Sequence, residues 1–91
     1  MKNFNYVDFF IAIKEKDVDV AINLLSILEK NNNFYGYKKA LLQTIVNNAS
    51  PKQAIFALNT LLYPPVLSLT ILILNQGSAD DIAELKKIQS Q

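Results

Sequence analysis

The chain has 91 residues, nine lysines against eight acidic residues for a formal charge of +1, and no His, Cys, Trp or Arg. Those absences remove the side chains that most acid–base, thiolate and transition-metal chemistry uses, and the near-neutral balance supplies no field to draw in nucleic acid or an anionic membrane. With half the residues apolar, the expectation is a single thin-cored domain over 1–91, for which a protein partner or a homodimer would be a natural source of further stability.

Met1 to Asn5 carries one positive charge and then polar residues, with Asp8 close behind. That is not the layout of a signal peptide, so a cytoplasmic location is expected. A first helix is predicted from about Tyr6 to Glu15, with Asn5 able to cap it and Asp8 in the first turn, where the helix dipole favours negative charge. Its apolar residues run nearly all the way round, which predicts burial on more than one side. After the charged break Lys14 to Asp17, Asp17 caps a second helix to about Glu29, whose Val18, Ala21, Ile22, Leu25 and Leu28 form one stripe.

Asn31, Asn32 and Asn33 predict a connector, since Asn competes for its own backbone and tolerates left-handed geometry. A third helix follows from Phe34 or Tyr35 to Asn47, with Tyr37, Leu41, Thr44 and Ile45 on one side. Ser50-Pro51-Lys52-Gln53 is the sharpest local signal: a Ser cap, Pro at the first helical position and Gln three residues on. The fourth helix is expected to reach Leu62, with Pro64 and Pro65 ending it. Val66 to Asn75 is an apolar run that periodicity alone cannot type, but Pro65 suits a helix first turn and Gly77 a helix C-cap, so a fifth helix is predicted. Ser78 to Asp81 then opens a sixth, with Lys86 and Lys87 in its last turn. The fold class is therefore all-α: five to six short helices packed as helical hairpins.

Sliding the chain by 33 residues lays Ala21, Ile22, Leu25 and Leu28 over Ala54, Ile55, Leu58 and Leu61, and cap Asp17 over cap Ser50. A period of about 33 or 34 is that of ankyrin and tetratricopeptide arrays, although neither signature motif is present.

Asp80, Asp81 and Glu84 are the one acidic cluster, and helix-start electrostatics accounts for them better than a metal does. No metal and no cofactor are expected. Ser50, Ser68, Ser78 and Ser90 have no His to act as base, so no serine triad can form and the chain is not expected to be an enzyme. Phe34 to Lys39 interleaves aromatics with lysines, the ingredients for stacking bases, but packing or a protein contact is the better reading, and no strong direct nucleic-acid binding is expected. The apolar run Leu61 to Leu74 is broken by Pro64 and Pro65 and is shorter than the roughly 20 residues that span a bilayer, so no membrane association is expected. If Leu69, Ile71, Leu72, Ile73 and Leu74 cannot all fit one small core, some face outward, and an exposed apolar patch marks a protein contact.

Phe9 to Lys14, Asp17 to Leu25 and Gly36-Tyr37-Lys38-Lys39-Ala40-Leu41 together resemble, over about residues 4–45, a family of small helical archaeal proteins. That family includes the subunit that binds the B-family replicative DNA polymerase of crenarchaeal holoenzymes. The resemblance implies a non-catalytic accessory subunit that steadies a polymerase on its template, contacting it through an apolar helix face. Candidate interface residues are Tyr35, Tyr37, Tyr63, Leu67 and Leu69. Two other functions stay open: a tetratricopeptide-like peptide-binding adaptor, and a small helical immunity or antagonist protein that blocks another protein.

Overall fold

Each cap in the sequence starts a helix. A computed structural model describes residues 4–91, so the leader reading of Met1 to Asn3 lies outside the described residues. The helices are α1 (Tyr6–Lys14), α2 (Val18–Leu28), α3 (Tyr35–Asn48), α4 (Pro51–Thr60), α5 (Val66–Gln76) and α6 (Ala79–Gln89), and there is no strand among the described residues. Asn5 accepts the Val7 N–H at 2.9 Å, and Asp17 accepts the Val20 N–H at 3.2 Å. At α4 and α6 the capping boxes close in both directions, Ser50 with Gln53 and Ser78 with Asp81. These bonds satisfy N–H groups that a helix start leaves without partners.

The predicted ends differ where tertiary contacts decide them. Helix α4 stops at Thr60, short of Leu62, because Leu61 turns to an extended conformation and buries its side chain in the core. Two residues on, the Tyr63 N–H donates to Glu29 Oε2 at 2.8 Å, which ties the linker to the end of α2. Asn32 to Phe34 forms a short 3-10 turn into α3. Pro65 is the residue before α5 and not its first turn, its carbonyl accepting from the Leu69 N–H at 3.0 Å. Gly77 does end α5, but in an extended conformation, so the left-handed freedom of glycine is not what the position needs. It needs space: a Cβ there would lie 2.5 Å from the Ile73 carbonyl oxygen and 3.0 Å from Asp81 Cβ. Among the described residues Lys16, between α1 and α2, takes the left-handed conformation, at φ 56°.

Helices α2, α4 and α6 form a row with α4 between the other two and their N-terminal ends together. At their N-terminal ends Gln53 Nε2 donates to Asp19 Oδ1 at 3.3 Å and Lys52 Nζ meets Asp81 Oδ1 at 3.1 Å. The Tyr63 to Glu29 bond joins the C-terminal ends of α2 and α4, and both it and the Gln53 to Asp19 bond link residues 34 positions apart. The other helices return over this row, α1 and α3 against α2 and each other, and α5 against α4 and α6. The result is a slab 37 × 27 × 18 Å, about two helices thick. Its core runs through Ile22, Leu28, Leu41, Ile45, Leu69, Ile73 and Leu85, with Ala54 and Ala57 allowing α4 to approach its neighbours closely.

Candidate functional site

Helix α5 is apolar on both faces, and the slab covers one of them. Leu69 and Ile73 are fully buried, while Leu67, Ile71 and Leu74, at the i, i+4, i+7 spacing of one helical stripe, are 75%, 49% and 53% exposed. Val66 at the helix start and Leu62 and Tyr63 in the linker are exposed as well. No residue from Gln53 to Ala79 is charged. Such a surface can offer dispersion contacts and release of ordered water to a complementary face.

The five candidate interface residues are not brought together. Tyr63 and Leu67 are exposed on the α5 side. Tyr35 is exposed at the start of α3, where with Lys38, Lys39, Leu42 and Val46 it lines a shallow trough of about 500 Å³. Tyr37, half-buried, packs its ring against Phe4 and Phe9 at 4.9 Å each and stands near Tyr6 and Phe34. Leu69 lies in the core and offers no surface to a partner. Val66 and Leu62 are not among the candidates, whereas Ile71 and Leu74 belong to the run of which some members are expected to face outward, without being singled out. The signal for them is the 67, 71, 74 spacing, which becomes visible only once the phase of α5 is known.

The remaining polar clusters are structural. Asp81, largely buried, accepts the Ser78 N–H at 3.0 Å and the Lys52 ammonium at 3.1 Å. The Ser78 bond foremost, then Lys52, holds its carboxyl below the usual carboxylate range. Asp80 and Glu84 remain exposed, and no three acidic side chains converge on a metal position among the described residues. Phe34 and Tyr37 belong to the aromatic cluster, leaving Tyr35 and Lys39 exposed and Lys38 half-covered. Among the described residues the buried oxygens Glu29 Oε1 and Thr70 Oγ1 lack hydrogen-bond partners. No helix is long and apolar enough to cross a membrane among the described residues. No family model matches the chain, and no curated protein and no solved structure is significantly similar to it.

Proposed function

We propose that this protein is a non-catalytic protein-binding module that engages its partner through the exposed face of α5 and the linker before it. The observation that carries this reading is the uncharged stripe Leu67, Ile71 and Leu74, continued by Val66, Leu62 and Tyr63. Isolated exposed apolar residues are ordinary, but a run of them along one helix resembles the anchor pattern of helix-in-groove recognition. The meeting of α2, α4 and α6 at their N-terminal ends, with two bonds between residues 34 apart that tie α2 to α4 and the linker after it, favours a helical-repeat adaptor as the form this module takes. The narrower reading, in which the partner is a B-family replicative polymerase, rests on the likeness of residues 4–45 alone.

The test is capture with tagged protein from host lysate in the presence of nuclease, run in parallel with a Leu67→Ser, Ile71→Ser double variant whose helical circular dichroism matches wild type. One protein retained at near-stoichiometric yield by wild type and lost by the variant is the expected result. A polymerase in that band selects the narrower reading, and equal capture by both proteins refutes the α5 surface.

A further inference from the structure

We infer that the occupant of the α5 face is a second copy of this chain, the two α5 helices packing antiparallel across a twofold axis near Thr70 and Ile71. This rests on the reading of that face as a protein contact and names its partner.

Three observations converge on a self-pair. The ends of the stripe are symmetric about its middle: Leu67 and Leu74 lie at equal distances from the point between Thr70 and Ile71, with Ile71 beside that point. An antiparallel twofold pair therefore sets Leu67 of each copy over Leu74 of the other and brings the two Ile71 side chains together. That is the self-complementarity an isologous interface requires. Secondly, the face carries no charge, since the whole tract Gln53 to Ala79 is uncharged. Two copies meet without like-charge repulsion, and the face has no charge pattern with which to select an unlike partner. Thirdly, the area approaches what a standard interface needs. Val66, Leu67, Ile71 and Leu74, with Leu62 and Tyr63, together expose on the order of 650 Å² of residue surface, the most a self-pair could cover there, against the about 800 Å² that a standard interface takes from each partner.

The test is the solution mass of the full chain by light scattering and sedimentation, from micromolar to millimolar concentration, for wild type, Ile71→Lys and Ile71→Glu. Wild type is expected at twice the 10.2 kDa chain mass. Each variant alone should associate on the order of 100-fold more weakly, because like charges then face each other across the axis. An equal mixture of the two should dimerise again, since position 71 meets position 71. Leu74→Lys provides the same disruption if either variant at 71 loses its helical circular dichroism. Wild type that stays monomeric at millimolar concentration overturns the proposal, as does a dimer that persists in both Ile71→Lys and Leu74→Lys. The two readings part in the monomeric case. Capture of another protein that Ile71→Lys abolishes leaves the contact surface standing and removes only the self-pair; capture that Ile71→Lys leaves intact removes both.

Discussion

Gly77→Ala and Gly36→Ala, chemically the same change, are expected to move stability in opposite directions. At Gly77 the backbone conformation is open to any residue, so the gain from a stiffer unfolded chain is about 0.4–1 kcal/mol. The new methyl, however, would lie 2.5 Å from the Ile73 carbonyl oxygen, the group that accepts the Gly77 N–H at 2.8 Å. It would also press on Asp81 Cβ at 3.0 Å, so either the last turn of α5 or the first turn of α6 must move. Overpacking of this kind costs about 1–3 kcal/mol, which outweighs the entropic gain and leaves a net loss of roughly 1–2 kcal/mol. Nothing lies within 4 Å of a Cβ at Gly36, in the first turn of α3, so alanine there should add about 0.5–1 kcal/mol. Urea titration followed by circular dichroism reads both changes, and thermal melting should place Gly77→Ala roughly 5–15 °C below wild type. A Gly77→Ala protein as stable as wild type, beside a Gly36→Ala protein that gains as expected, would refute the steric account.

Leu69→Ala and Leu67→Ala should separate core from surface on a single helix. The first removes a fully buried side chain and should cost about 2–5 kcal/mol in urea unfolding, whereas the second, measured at high dilution, should change stability by less than about 0.5 kcal/mol. Thr70→Val should raise the urea midpoint, with a gain of about 0.5–1 kcal/mol, because it removes a buried hydroxyl oxygen that has no hydrogen-bond partner. Asp81 should make stability fall in acid. Its folded-state carboxyl titrates below its unfolded value, so its contribution is complete above about pH 4 and is lost as pH falls through the depressed value. Asp81→Asn should flatten that acid limb of a melting-temperature profile. Lys52→Met should blunt it only in part, because the Ser78 N–H is the larger cause and the lysine side chain is 81% exposed.

Local chemistry was legible in the sequence, and phase was not. Asn5, Asp17, Ser50 and Ser78 announce helix starts because each carries a short side chain able to take a backbone N–H two or three residues ahead, a bond that needs no tertiary partner. The end of α4 depends on where Leu61 finds a core and on a bond from Glu29, more than 30 residues away, so nothing near Leu62 encodes it. Gly77 shows the same division. Its place at a helix end is readable, while its reason, the close approach of α6 to Ile73, belongs to the packed structure. Along α5 the unbroken run of aliphatics carries no alternation with polar residues, so the inward Leu69 and the outward Leu67 look alike. The spacing of Tyr37 with Leu41 and Thr44 puts it on one side of α3, but its companions Phe4, Phe9 and Phe34 come from three separate segments that only folding assembles.

The packing scheme explains why α5 keeps an open stripe, as α1 does at Tyr6, Val7 and Phe10. On the returning side of the slab, α1 and α3 lean on each other as well as on α2, whereas no comparable packing joins α3 to α5. Helix α5 thus rests chiefly on α4 and α6, and Leu67, Ile71 and Leu74 on the side it turns away from them stay exposed among the described residues. In stacked helical hairpins each face is covered by the next unit, so a face of this kind is incomplete by construction. The two-residue link through Gly77 and Ser78 fixes how α5 sits on α6, and therefore where Leu67, Ile71 and Leu74 are aimed. If that aim matters, Gly77→Ala should weaken self-association by more than its loss of folding stability accounts for, under conditions where the chain is still fully folded. Association that instead follows the folded fraction alone would mean that the stripe binds whatever its tilt, as a non-specific apolar patch does.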